Sequence, residues 1–237
     1  MRLEEALEKS RQVEGWLSAG EQALLYDLAL SVPGDGAIVE LGAWMGKSTI
    51  MLAAGSMQGS KSAVYSVDSF VPTGEGAPFY YSELRDRPQD YLPIFLTNIR
   101  NAGVSSVVKP VKSLTVEAAK GWAGPRVQLL FIDADHAYRS VRDDFLAWAE
   151  HCGRGSRVVF HDYGRFGVSH FVDQLRLTKV ITNVNVIDSA LYGEVAVTGT
   201  LRVKRRLDLC PSLIPRFLKG FKNTVRFTRG RLLQKNE

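Results

Sequence analysis

Short apolar runs alternate with helix-length segments along most of the chain. The runs at 37–41 (AIVEL), 63–67 (AVYSV), 107–111 (VVKPV), 127–132 (VQLLFI) and 156–161 (SRVVFH) have the length of buried strands. Segments of helical length lie between them, around 47–56, 92–102, 114–120 and 138–150. Apolar strands separated by helices predict a mostly parallel sheet covered on both faces. Residues 2–11 and 20–31 read as two leading helices. The second opens near Ser18, carries Leu24, Leu25, Leu28 and Leu30 at helical spacing, and stops at Pro33-Gly34-Asp35-Gly36. The last two runs, about 183–188 and 191–199, stand too close together for a helical crossover and are expected to pair antiparallel at the sheet edge. The fold expected is therefore α/β, doubly wound, with a mostly parallel seven-stranded sheet and an antiparallel edge strand.

One stretch breaks the pattern. Residues 70–91, FVPTGEGAPFYYSELRDRPQDY, follow the second strand as a long aromatic, Gly/Pro and charged insert. Ligands of open α/β sheets bind at the carboxyl ends of the strands, so an insert there is expected to act as a lid.

With 237 residues the chain is long enough for one such domain, expected over 1–200, and a tail over 201–237. Its net charge of +5 is unevenly distributed: residues 201–237 hold eleven Lys and Arg against two acidic residues, which leaves the body at −4. A mildly acidic body argues against a nucleic-acid-binding face. In the tail, Ile214, Phe217, Leu218, Phe221 and Val225 share a helical face, flanked by Lys219, Lys222, Arg226 and Arg229. Over 212–233 this suits peripheral contact with an anionic membrane, or packing on the chain's own domain or on a second copy in a homo-oligomer. No run approaches the ~20 apolar residues of a membrane span. The charged N-terminus and two isolated cysteines, Cys152 and Cys210, fit a cytoplasmic protein and no zinc site.

The candidate chemistry gathers at strand ends. At 37–52, AIVELGAWMGKSTIML, an apolar strand ends in Glu40 and turns through Gly42 and Gly46 into a helix start at Lys47, Ser48 and Thr49. Such a turn lets backbone approach a ligand and points free N–H groups at it. GAWMGKST approaches a phosphate-binding loop, but only three residues separate its glycines where G-x-x-x-x-G-K-[ST] requires four. G-x-G-x-x-G is absent as well. The second strand ends in Asp68-Ser69 and the third near Ser113. The fourth runs into Asp133, Asp135 and His136 and the fifth into His161-Asp162.

VELGAWMGKST, VYSVDSF, LLFIDADHAYRSVRDDF and VVFHDY, in that order, resemble the successive motifs of class I S-adenosylmethionine-dependent methyltransferases. The similarity covers roughly residues 15–200. It is closest to the metal-dependent small-molecule and sugar O-methyltransferases of the macrolide and aminocoumarin tailoring type. The resemblance implies a Rossmann-like fold, S-adenosylmethionine as cofactor and a small-molecule or glycan hydroxyl as acceptor. It places Glu40, Gly42, Gly46, Ser48, Asp68, Ser69, Ser113 and Asp133 at the cofactor, with Glu40 toward the methionine end and Asp68 on the ribose hydroxyls. It implies a divalent ion, Mg²⁺ or Mn²⁺, on Asp133, Asp162 and His161, with Asp133 and His136 catalytic and His136 as the base. Relatives that use a metal usually carry two successive oxygen ligands where this chain has His161-Asp162, and imidazole tolerates Mn²⁺, Fe²⁺ or Zn²⁺ better than Mg²⁺. A non-catalytic adaptor on the same fold is the competing expectation, and a nucleotide hydrolase is a weaker one. The intact acidic and histidine clusters weigh against the adaptor, and the short loop against the hydrolase.

Overall fold

The computed structural model describes residues 1–71 and 90–209. Two leading helices, α1 (Leu3–Arg11) and α2 (Ala19–Leu30), precede β1 (Ala37–Leu41), α3 (Lys47–Gln58), β2 (Val64–Asp68), α4 (Leu92–Ala102), β3 (Val108–Lys112), α5 (Thr115–Lys120), β4 (Val127–Ile132) and α6 (Tyr138–Trp148). Then follow β5 (Cys152–Phe160), α7 (Phe166–Leu177), β6 (Ile181–Ile187), β7 (Ala190–Val195) and α8 (Thr200–Asp208). The sheet order is β3-β2-β1-β4-β5-β7-β6. Strands β1 to β5 pair parallel, and β7 runs antiparallel to both β5 and the edge strand β6. This is the doubly wound, Rossmann-like sheet expected, with its antiparallel pair at one edge.

Strand alternation assigns each residue to one of two cores, because successive side chains point to opposite faces. Ile38, Leu129, Phe131 and Val159 face α1 to α4. Val39, Leu41, Leu130, Ile132, Val158 and Phe160 face α5 to α8. Carried one step further, the same alternation puts Glu40, Asp133 and His161 on the α1–α4 side.

The helix boundaries have local causes. Helix α2 opens with a capping box, in which the Ser18 hydroxyl accepts from the Glu21 N–H and the Glu21 carboxylate accepts from the Ser18 N–H. Helix α4 has Pro at its start and ends at Gly103, whose φ of 78° suits the left-handed C-terminal cap.

Two helices differ from expectation. Helix α7 fills 166–177, for which the sequence pattern predicts no element, because Val168, Phe171, Val172 and Leu175 bury one helical stripe. Helix α8 begins right after Gly199 and buries Val203 in the second core, so the packed body continues past residue 200. Strand β5 starts earlier than predicted, at Cys152, since pairing with Val127 resumes across an irregularity near Gly155 (φ 84°). Of the expected lid, 72–89 lies outside the described residues, as does the whole basic stretch 212–233. No described helix is long and apolar enough to cross a membrane.

Candidate active site

A cleft of about 850 Å³ opens along the carboxyl ends of the parallel strands. Gly42, Ser48, Asp68, Ser69, Ser113, Asp133, His136, His161 and Asp162 all line it. Glu40 and Gly46 do not. The chain thus brings most of the expected site residues to one opening, with two behind its wall.

Glu40 is wholly buried. Its two carboxylate oxygens accept from the hydroxyls of Ser48 and Thr49, in the first turn of α3. Burial raises its pKa from the usual carboxylate range to about 7, against the opposing pull of those hydroxyls. It therefore locks strand β1 to helix α3 from beneath, and the Ser48 hydroxyl is engaged in that lock.

The turn above it needs unusual backbone. Gly42 has φ 89°, and a Cβ there would sit 2.4 Å from the carbonyl oxygen of Asp133. Gly46 has φ 94° and caps α3 against Phe95 and Ile99. Trp44, without a glycine's freedom, still holds φ 47°. A non-glycine residue held there costs about 1–3 kcal/mol. Compensation comes from the Asp68 carboxylate, whose Oδ2 accepts from the N–H groups of Ala43 (2.8 Å) and Trp44 (2.9 Å), and from the Trp44 ring stacked 4.5 Å from Tyr91. Asp68 Oδ1 accepts from the Phe70 N–H at 2.7 Å. Asp68 is thus a brace for the glycine turn, with three backbone donors on a group that has about four lone-pair directions. The Ser69 hydroxyl donates to the Val71 carbonyl and the Ser113 hydroxyl to that of Leu114.

Lys47 settles the phosphate-loop question. Its ammonium donates to the carbonyls of Ser10 (3.2 Å) and Val13 (2.8 Å), at the end of α1, and does not reach back over the turn. Partial burial lowers its pKa. A lysine tied to a helix C-terminus complements that helix's dipole and has no phosphate role here.

The opposite wall carries charge. Asp133, His136 and Asp162 each offer a ligand atom within 4.8 Å of the others. His136 Nε2 lies 2.6 Å from Asp162 Oδ2, off the direction of a hydrogen bond, so this buried nitrogen has no hydrogen-bond partner. Arg165 Nε contacts Asp162 Oδ1 at 3.1 Å. His161 stands behind: its Nδ1 meets Asp133 Oδ1 at 2.9 Å and Asp162 Oδ2 at 3.5 Å, and its Nε2 faces Glu21 Oε2 at 3.5 Å. Burial opposes its charge, yet these carboxylates overcome that and raise its pKa to about 12. Glu21 is pulled down to about 2, its own burial outweighed by His161, Ser189 and Ser18. Asp162 likewise falls well below the usual carboxylate range, its burial outweighed by His136 and His161.

His161, expected as a ligand, lines the cleft with Nδ1 on Asp133 and Asp162, while the close trio of possible ligands is Asp133, His136 and Asp162. The His161 ring turns its Nε2 toward α2, while Asp162, at φ 56°, swings to the cleft beside His136. The trio fits a divalent ion: two carboxylates, one imidazole and a buried ring nitrogen without a hydrogen-bond partner.

The methyltransferase-domain family model matches residues 39–163, more than half of the chain. The chain belongs to that family. The fold of this methyltransferase is shared by solved structures of low identity. The O-methyltransferase NovP is 17% identical with a TM-score of 0.63, over 76% of this chain and 81% of that one. TomG, an O-methyltransferase from Streptomyces achromogenes involved in tomaymycin synthesis and solved with S-adenosylmethionine, is 17% identical with a TM-score of 0.57, over 82% and 89%. An O-methyltransferase from Bacillus cereus, solved with S-adenosylhomocysteine, gives 17% and 0.57, over 82% and 90%.

Sequence reasoning passed over two groups at this site. Asp144 on α6 is buried at the cleft, accepts from the Thr115 hydroxyl, and has its pKa raised to about 7 by burial. Its position mid-helix gave no motif to find. Glu21 was visible only as half of a helix cap.

Proposed function

We propose that this methyltransferase transfers a methyl group from S-adenosylmethionine to a hydroxyl of a sugar or other polyhydroxylated small molecule. One observation carries the reading: the braced glycine turn and the Asp133–His136–Asp162 cluster line one cleft. S-adenosylmethionine supplies a sulfonium methyl, and the chain has to do the rest. The start of α3, with Lys47 and Ser48 at the cleft, would receive the methionine end, and Asp68 and Ser113 line the side where ribose and adenine would lie. A neutral hydroxyl is a poor nucleophile. His136, which lines the cleft with its Nε2 2.6 Å from Asp162, would take the acceptor's proton, and Asp162 would stabilise the imidazolium that results.

A second reading rests on the ligand atoms of Asp133, His136 and Asp162 lying within 4.8 Å of one another. Asp133, His136 and Asp162 would hold a divalent ion there, a transition metal in preference to Mg²⁺, and bound metal would acidify the acceptor hydroxyl. The experiment is transfer of labelled methyl from S-adenosylmethionine to a panel of free sugars, nucleotide sugars and polyphenols, with and without a chelator. Labelled sugar product supports the reading. Loss of product on chelation assigns the trio to a metal, and product only from the polyphenols removes the sugar.

A further inference from the structure

Glu21 lies on helix α2, outside the family-matched residues 39–163. It is 3% exposed, and its two oxygens are fully engaged. Oε2 accepts from the Ser18 N–H at 2.8 Å. Oε1 accepts from the N–H (2.9 Å) and hydroxyl (2.6 Å) of Ser189, in the turn between β6 and β7. The cap alone does not explain a carboxylate, because glutamine closes a capping box equally well. A carboxylate accepts on both oxygens, from Ser18 and from Ser189, and it also sets a negative charge 3.5 Å from His161 Nε2, which Ser189 Oγ meets at 3.5 Å as well. The other ring nitrogen of His161 meets Asp133 at 2.9 Å.

We propose that Glu21 is a positioning residue of the methyl-transfer site, holding His161 so that the ring fixes the Asp133 carboxylate at the cleft. The proposal rests on the reading of Asp133, His136 and Asp162 as the reacting end. Rotation of an imidazole about its Cβ–Cγ bond is soft. A ring held at one nitrogen swings between Asp133 and Asp162, which lie 2.9 and 3.5 Å from Nδ1. A ring held at both nitrogens has one orientation. A partner that orients an active group through a histidine is the usual second layer of a catalytic site, and its loss costs about 10- to 100-fold. The path also makes α2 and the β6–β7 turn part of the site.

The test compares Glu21→Gln, which removes the charge and one acceptor oxygen, with Ser18→Ala, which removes the hydroxyl half of the cap and leaves the Glu21 carboxylate facing His161. Ring ¹H–¹⁵N spectra of full-length protein, alone and with S-adenosylhomocysteine, report the Nδ1–H of His161, assigned by its shift in Asp133→Asn. We expect Glu21→Gln to lose or broaden that signal and Ser18→Ala to keep it. Methyl transfer to whichever panel acceptor the wild type uses should fall about 10- to 100-fold in the first and stay within about twofold in the second. A wild-type Nδ1–H in Glu21→Gln, or equal losses in both variants, overturns the proposal. Should Glu21→Gln not fold, Glu21→Asp keeps the charge but draws it back from His161 by one methylene, and an unchanged ring signal there is equally fatal. Failure to bind S-adenosylhomocysteine would sink the functional reading instead, while the spectra of the protein alone still decide the role of Glu21.

Discussion

The two walls of the cleft solve opposite problems. On the glycine-turn wall every polar group identified above holds backbone or helix in place: Glu40 locks Ser48 and Thr49, Asp68 braces Ala43 and Trp44, and Lys47 ties down α1. On the β4–β5 wall three ionisable groups crowd within 4.8 Å, and one ring nitrogen has no hydrogen-bond partner. The first wall offers a preformed backbone shape, which suits binding. The second keeps acid–base capacity, which suits reaction. Side-chain loss on the two walls should therefore fail differently, in structure and affinity on one and in turnover on the other.

The largest effect expected is on the reacting wall. His136→Ala should cut methyl transfer by about 10²–10⁴-fold while S-adenosylhomocysteine affinity stays within about twofold. A proportionate loss of affinity, read by calorimetry, would erase the division between the walls.

Glu40 sharpens the binding wall through pH. Its folded pKa of about 7 lies above the ordinary carboxylate value of 4.5, so the folded state holds the proton more tightly. Its contribution is fully present below 4.5 and is lost as pH rises toward 7, with a slope of up to about 1.4 kcal/mol per pH unit. Denaturant titrations of wild type minus Glu40→Gln should show that loss between those values and a flat difference above.

Gly42→Ala comes next. Its Cβ would meet the Asp133 carbonyl at 2.4 Å and the backbone is at φ 89°, so about 1–3 kcal/mol of stability should go, with weaker cofactor binding. Unchanged melting and affinity would mean that the turn adapts. The smallest effect belongs to Lys47→Met, which keeps the packing and loses two bonds to the carbonyls of Ser10 and Val13. About 1 kcal/mol of stability is expected with cofactor affinity unchanged. A large affinity loss there would revive a phosphate-loop role.

What the sequence disclosed was local. The runs AIVEL and VQLLFI are strands over the residues predicted, and LPIFLTNIRNA is the helix predicted, because burial and capping act within a few residues. Helix α7 has the required spacing in Val168, Phe171, Val172 and Leu175, but the alternation of strands and helices predicts no element there. Helix α8 has little to read, with Val203 and Leu207 the only buried-side apolar residues among basic neighbours. At the site, strand ends marked Asp133, His136 and Asp162. The direction of His161 depends on α2, 140 residues earlier, and no local pattern encodes that meeting.

The most direct test is calorimetric titration of wild type and of the His136→Ala, Asp162→Asn double variant with S-adenosylmethionine, S-adenosylhomocysteine and ATP. Equal binding of the first two by both proteins, with no heat from ATP and no methyl transfer by the variant, is the result predicted. Binding of ATP, or loss of S-adenosylhomocysteine binding in the variant, would contradict the separation of a binding wall from a reacting wall.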